Sequence, residues 1–168
     1  MKVVVTAIGT NHYFHMAAQL ERHHALTAIY TGYPRFKLKG VGVSPDRIRT
    51  FPWFQTLYMA KGRFGLNGKW LDRQLCHLAN RTLDRHVSKG VPECDLFIGQ
   101  SNCSLLTGRV VQARGGKYVV DRPCAHIREQ DRLLREEYER QGVRYSGIDP
   151  RIVEREEIEY AEADAVLV

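Results

Sequence analysis

The sequence lacks the signatures of several large classes of protein. No apolar run approaches the roughly 20 residues that a membrane-spanning helix needs. Residues 1–8 lack the long apolar core and the small-residue cleavage site of a signal peptide. The four cysteines show no C-x-x-C spacing. These absences predict a cytoplasmic protein whose cysteines are free thiols, because disulfides are rare in reducing compartments.

Common nucleotide-binding and hydrolase motifs are also missing. The residues after the first apolar run do not begin a G-x-G-x-x-G motif, and Tyr30-Thr31-Gly32 supplies no acid to hold a ribose. No G-x-x-x-x-G-K-[ST] run is present. Residues 99–103 resemble a nucleophile elbow without its second glycine. The sequence therefore disfavours a nicotinamide dehydrogenase, a P-loop enzyme and a serine hydrolase.

Acidic side chains are scarce in one long segment. Between Thr31 and Lys69 there are eight basic residues and a single acid, Asp46. Such a segment favours contact with an anionic surface, either a phosphorylated substrate or the cytoplasmic leaflet of a membrane. A solvated loop that keeps the protein soluble is the alternative. Nucleic acid is not an expected partner, since the chain has no basic helix, zinc finger or RNP-like aromatic signature.

What the sequence does contain is an alternation of apolar strands and amphipathic helices. The length of 168 residues fits one domain. The alternation predicts an α/β fold: a doubly wound, mainly parallel Rossmann-like sheet with helices on both faces. Strands are expected at residues 2–8, 27–30, 47–51, 94–98, 117–120 and 165–168, and helices at about 14–26, 69–88, 105–113 and 127–141, with one more opening at Asp149-Pro150.

Three details of this pattern are specific. Residues 47–51 are expected at a sheet edge, and residues 54–68 are expected to form a long loop. Residues 165–168 are expected to form a buried parallel strand. Because that strand runs to the last residue, the sequence suggests a chain cut from a longer protein.

Ligands of such sheets bind outside the carboxyl ends of the strands, where strand order reverses. Three loops are expected to meet there, at residues 9–12, 99–103 and 121–126. Gly9 lets the backbone approach a ligand, and the helix after it offers free amide donors to a phosphate or carboxylate. A tight turn between strand and helix would explain the same glycine.

The second and third loops contribute further candidates. Ser101 and Asn102 lie near the first turn of the predicted helix at 105–113, and Arg122 follows a strand. His126 begins a helix beside the strand ends, where its imidazole can hydrogen-bond a sugar hydroxyl or a developing charge. The alternative is a helix-start histidine satisfied by the backbone.

The remaining reactive side chains are interpreted as structural. His12 and His15 lack a third and fourth ligand, so no metal site is expected. Cys124 is expected to be buried and inert. The acids of residues 156–159 are interpreted as a solvated helix face or a contact with a partner domain.

The last third of the chain resembles the end of the N-terminal domain of glycosyltransferases of family 4. The resemblance covers roughly the last 75 residues and rests before them on general layout. The matching residues are Asp121 to Ile127, Gln130, Leu133-Leu134, Glu136-Glu137-Tyr138, Glu156 to Tyr160 and Ala163-Asp164-Ala165.

The resemblance implies one half of a GT-B fold, with residues 1–168 as the acceptor-side domain and a C-terminal donor-binding domain outside this chain. It implies retaining transfer of a sugar from a nucleotide-sugar donor, no cofactor and no active-site metal. It also implies that most donor contacts and a catalytic acidic pair lie in the other domain. This domain alone would then be inactive or nearly so.

The resemblance also assigns roles by position. Gly9 and Thr10 match the loop that approaches the donor diphosphate, although Gly9-Thr10-Asn11 lacks the usual Gly-Gly pair. His126 matches the position from which a histidine reaches the transferred sugar. The acceptor-binding region corresponds to residues 35–69. We therefore expect a saccharide or lipid-linked acceptor there.

In that acceptor region, Arg35, Lys37 and Lys39 are expected to meet an anionic acceptor or the inner face of a membrane. Two readings from other classes stay open beside the transferase. One is a stand-alone, non-catalytic nucleotide- or sugar-binding module, and the other is a receptor or regulatory domain for a phosphate ligand.

Overall fold

A computed structural model of the chain describes residues 1–65 and 68–168. Its centre is a sheet of six parallel strands in the order β3-β2-β1-β4-β5-β6. Strand order reverses between β1 and β4, and helices flank the sheet. The predicted α/β class and doubly wound sheet are confirmed.

The strands and helices alternate along most of the chain. The strands are β1 Val3–Ala7, β2 Leu26–Thr31, β3 Ile48–Thr50, β4 Leu96–Gln100, β5 Lys117–Asp121 and β6 Ala165–Leu167. The helices are α1 His12–Arg22, α2 Trp53–Ala60, α3 Lys69–Gly90, α4 Leu105–Ala113, α5 Ile127–Arg140 and α6 Pro150–Glu162. Short 3-10 turns occupy Arg35–Lys37 and Lys61–Phe64.

The core has two parts because successive strand side chains point to opposite faces of the sheet. In β1, Val3 and Val5 pack with Phe14 of α1 on one face. Val4 packs on the other face, in the cluster that contains Leu83 of α3. All three valines are fully buried, which explains why β1 shows a continuous apolar run rather than an alternating one.

Two predictions about elements differ from the structure by more than two residues. The first helix was expected to reach residue 26, but it ends at Arg22, and His24 adopts a left-handed φ of 54° before β2 begins. The loop expected at 54–68 is instead helical over Trp53–Ala60, with a 3-10 turn after it. Phe54 and Tyr58 are one turn apart and partly buried where α2 packs on α3. Residues 66 and 67 of that predicted loop lie outside the described residues.

The last strand is parallel, as predicted, but it is not buried. β6 pairs with β5 alone and forms one edge of the sheet. Val166 and Leu167 keep 38% and 45% of their surface exposed. An apolar composition alone does not distinguish an edge strand from a central one.

Gly108 allows α4 to lie close against the sheet. A Cβ at this position would fall well inside the van der Waals radius of the Tyr118 ring, which is itself fully buried. We expect Gly108→Ala to lower the free energy of unfolding by about 1–3 kcal/mol, because overpacking outweighs the gain in helix propensity. Urea unfolding measures the change.

Gly90, at the end of α3, is the matched control. A Cβ there meets nothing within 4 Å. Gly90→Ala should therefore stay within about 0.5 kcal/mol of the wild type. Equal effects of the two substitutions would contradict this account of α4 packing.

Candidate functional site

The carboxyl ends of β1 and β4 form the topological switch point of the sheet. β1 leads through α1 to β2 on one side, and β4 leads through α4 to β5 on the other. In doubly wound sheets the loops that follow two such strands diverge, and ligands bind in the crevice between them. A hydrogen bond of 2.8 Å from the Ile8 N–H to Gln100 Oε1 joins them at their base.

A histidine–aspartate pair lies beside this crevice. His12 is the first residue of α1, and Asp121 is the last residue of β5. The His12 Nε2 lies 2.8 Å from Asp121 Oδ2, and the Tyr13 hydroxyl donates to the Asp121 carbonyl oxygen at 3.3 Å. The Asp121 side chain is only 10% exposed, whereas that of His12 is 47% exposed.

This geometry selects a tautomer of the neutral His12 ring. A carboxylate at Nε2 requires the proton there, so Nδ1 carries the lone pair. His12 can therefore accept a hydrogen bond from a ligand hydroxyl at Nδ1 while Asp121 holds the ring in place.

The predicted loop residues Gly9, Thr10 and Asn11 lie next to this pair. Gly9 is buried with its Cα facing the Tyr33 ring, Thr10 is half-buried and Asn11 is exposed. The Asn11 side chain does not cap α1, and α1 has no acid in its first turn. In residues 1–65 and 68–168, no carboxylate accepts from the N–H groups of these three residues. They are therefore candidate donors to an anion at the start of α1.

The start of α4 is filled instead by the Glu159 carboxylate. Its Oε2 accepts from the Asn102 N–H at 2.5 Å, and its Oε1 accepts from the Ser104 and Leu105 N–H groups at 3.0 Å each. Glu159 is fully buried. Burial raises the pKa of Glu159 to about 7, and the N–H groups of Ser104 and Asn102 oppose that rise.

A second buried carboxylate, from α3, completes the same helix start. Asp84 accepts from the Leu106 and Thr107 N–H groups at 2.9 and 3.0 Å and pairs with Arg155 of α6. Two acids thus occupy the positive end of α4. The interpretation of the acids at 156–159 as a solvated face is wrong for Glu156 and Glu159, which are both buried.

These contacts change what Ser101 and Asn102 can do. Both residues are buried, and Asn102 adopts a left-handed φ of 70° that directs its N–H to Glu159. The Ser101 N–H donates to the Asp121 carbonyl oxygen at 3.0 Å. Their backbone N–H groups therefore join β4, β5, α4 and α6 and are not free to donate to a ligand.

The Arg122 side chain is buried and contacts residues of the 121–126 loop and of the helices beside it. Its guanidinium contacts the Ala125 carbonyl oxygen, the Gln130 side chain and, at 3.3 Å, the Glu156 carboxylate. The residue is only 9% exposed. Its contacts support a positioning role in the 121–126 loop.

His126 caps α5 and remains exposed. Its Nδ1 accepts from the Arg128 N–H at 3.3 Å, which leaves the Nε2 proton free to donate in the neutral ring. The ring centroid lies 5.1 Å from that of Tyr160. His126 and His12 thus present opposite hydrogen-bonding characters, a donor and an acceptor.

The cysteines are free thiols, as predicted. Cys103 is buried, and burial raises the pKa of its thiol. Cys124 is exposed, so the expectation that it is buried is wrong. It lies in the 121–126 loop, whose buried anchor is Arg122 rather than the cysteine.

The predicted contact residues Arg35, Lys37 and Lys39 are all exposed. They follow β2, on and just after the 3-10 turn Arg35–Lys37. Arg35 also donates to the Ile48 carbonyl oxygen at 3.3 Å, which ties the turn to β3.

Sequence reasoning missed four residues that organise this edge: His12, Asp121, Glu159 and Asp84. His12 and Asp121 could have been selected, since both stand in loops or strand ends that the topology brings together. Nothing local distinguishes Glu159 and Asp84 from the solvent-facing acids of an ordinary helix.

Within the described residues, no group of three His, Cys, Asp or Glu side chains is placed to hold a metal ion. No helix in the same part of the chain has the length and apolar character needed to cross a bilayer. Comparison of the chain with models of protein families, with curated proteins and with solved structures found no match.

Proposed function

We propose that this chain is the acceptor-side domain of a retaining glycosyltransferase that transfers a sugar from a nucleotide-sugar donor. The His12–Asp121 pair carries the proposal. It places an oriented hydrogen-bond acceptor at the switch point, beside the backbone amides of Gly9, Thr10 and Asn11, from which no carboxylate accepts within the described residues. A nucleotide sugar and its acceptor offer both matching chemistries, a diphosphate for the amides and hydroxyl groups for the imidazole.

In this proposal the domain contributes orientation and binding rather than a nucleophile. His12 accepts a hydrogen bond from a sugar hydroxyl through Nδ1, and His126 donates one through Nε2. The diphosphate approaches the start of α1, because Glu159 and Asp84 already fill the start of α4. The resemblance to family 4 supports assigning the catalytic acidic pair to a second domain.

The test is an activity assay of the complete product of the coding frame that contains this chain. The product is incubated with a panel of nucleotide sugars and acceptors, and NMR reads the anomeric configuration of the new bond. We expect transfer with retention by the complete product, and weak donor binding without transfer by residues 1–168 alone.

Two outcomes would contradict the proposal. Tight binding of a nucleotide or sugar by residues 1–168, with no transfer by the complete product, would indicate a binding module. Inversion at the anomeric carbon would contradict a retaining mechanism. His12 would then be assigned as the base that takes a proton from the acceptor hydroxyl.

A further inference from the structure

Four large apolar side chains are exposed in the segment between β2 and α3. Phe36 is 69% exposed, Trp53 71%, Leu57 56% and Met59 41%. We call these four residues the apolar patch. Single exposed apolar residues are common, but a group of them marks a surface that meets something other than water.

The four side chains belong to two elements of this segment, the 3-10 turn and α2. Trp53 and Leu57 are one turn apart on α2, and the partly buried Phe54 and Tyr58 lie about 100° further round the helix. Phe36 lines a shallow cavity of about 280 Å³ together with Met59 and other residues of α2. The 3-10 turn and α2 therefore border a common cavity, and both carry exposed apolar side chains.

Exposed cations border the apolar patch. Lys37 lines the same cavity as Phe36, and Arg35 and Lys39 line an adjacent cavity of about 520 Å³ whose walls are otherwise mostly apolar. In the part of the chain that the structure describes, neither Lys37 nor Lys39 pairs with a carboxylate. Asp46, the only acid from Thr31 to Lys69, lies 3.7 Å from Arg47. The charge of this surface is strongly one-sided.

The same surface adjoins the candidate site. The 3-10 turn follows β2 and α2 follows β3, so both leave the carboxyl edge of the sheet. Tyr33, just before the turn, faces Gly9, and the Gln55 side chain of α2 packs against Gly32. A partner bound to the apolar patch would therefore lie next to the crevice.

We propose that the apolar patch and its cations dock the protein on an anionic lipid bilayer, with the candidate site facing the lipid surface. The apolar side chains enter the interfacial region, and the lysines meet anionic headgroups. Tryptophan is suited to this boundary because its indole is both apolar and a hydrogen-bond donor. The proposal goes beyond the proposed function, because docking would occur whatever ligand the crevice binds.

The primary experiment is co-sedimentation of the protein with phosphatidylcholine vesicles, with and without phosphatidylserine, at low and physiological salt. We expect binding to the anionic vesicles that weakens as salt rises, and little binding to the neutral ones. Trp70→Phe leaves Trp53 as the only tryptophan. Its emission should shift to the blue on binding and should be quenched by brominated lipid.

Two variants test the two components of the surface. Lys37→Glu with Lys39→Glu should weaken binding by about tenfold or more, since each lysine near the surface contributes separately. Trp53→Ser with Leu57→Ser should weaken binding to a similar degree. The residual binding of this variant should depend more strongly on salt than that of the wild type, because it is mainly electrostatic. All four positions are exposed, so the thermal unfolding temperature should not change.

Arg85→Glu with Lys89→Glu is the matched control. It changes net charge equally in another basic groove, which lies between α3 and α4 and is lined by Arg81, Arg85, Lys89 and Arg109. Binding should be nearly retained. Equal loss in this control would show that only net charge matters and would overturn the proposal.

Two further results would overturn it. One is no binding of the wild type to anionic vesicles at low salt. The other is a dimer in sedimentation equilibrium that the Trp53→Ser, Leu57→Ser variant converts to monomers, which would assign the apolar patch to a second copy of the chain.

Discussion

Glu159→Gln is expected to lower the free energy of unfolding by about 1–3 kcal/mol. The substitution keeps the size of the side chain but replaces one carboxylate oxygen by an amide that donates. At least one of the three N–H groups of Asn102, Ser104 and Leu105 then loses its acceptor in a buried place. Arg155, 3.6 Å from Glu159 Oε1, loses part of its charge compensation as well.

Urea unfolding at pH 8, above the raised pKa of Glu159, measures this loss. Glu154→Gln is the control, because Glu154 is an exposed acid of the same helix. It should change the free energy of unfolding by no more than about 0.5 kcal/mol. A loss below about 1 kcal/mol in Glu159→Gln would mean that this carboxylate does not hold α4 to α6.

His12→Ala is expected to lower kcat of sugar transfer by about 100-fold in the proposed transferase. The substitution removes the nitrogen that we assign to a substrate hydroxyl. Asp121→Asn is expected to cost about tenfold, because Asp121 acts through the His12 ring rather than on the substrate. His15→Ala, an exposed histidine one turn later in α1, should leave kcat unchanged.

Nitrogen NMR of the histidine rings separates this role from a structural one. We expect the neutral His12 ring to carry its proton on Nε2 in the wild type and to lose that fixed tautomer in Asp121→Asn. The thermal unfolding temperature of the His12→Ala variant should change little, since the His12 side chain is half-exposed. An unchanged tautomer together with unchanged kcat in Asp121→Asn would contradict the positioning role.

Much of the fold could be predicted because residues close in sequence determine many of its helices and strands. The helix predicted at 105–113 has those limits in the structure. The helix predicted to open at Asp149-Pro150 also begins there, with the Asp149 side chain accepting from the Arg151 N–H at 3.0 Å. Both depend on apolar spacing or on capping chemistry that neighbouring residues determine.

Elements that depend on distant partners were predicted poorly. α2 contains no capping side chain and is followed by glycines and lysines, so its sequence is typical of a loop. Packing of α2 on α3, with Phe54 and Tyr58 partly buried, stabilises it instead. β6 was expected to be buried because burial was inferred from composition, whereas an edge position depends on strand order.

In the candidate site, too, the local features could be predicted and the contacts between distant residues could not. The topology alone predicts that the loops after β1, β4 and β5 meet, and Gly9, Ser101 and His126 do lie in those loops. The pairing of His12 with Asp121 joins residues 109 positions apart, and that of Glu159 with Asn102 joins residues 57 apart. One sequence does not reveal which side chains meet over such separations, so the open and the filled helix starts could not be told apart.

The most direct test of the account is a titration of the isotopically labelled chain with nucleotide sugars, followed by the shifts of its backbone amides. Weak binding is sufficient for this measurement. We predict that the amides of residues 9–12 and of the His126 loop shift, while those of Asn102, Ser104 and Leu105 do not, because Glu159 occupies them. Shifts centred on the start of α4, or no shift with any nucleotide sugar, would contradict a donor site at the start of α1.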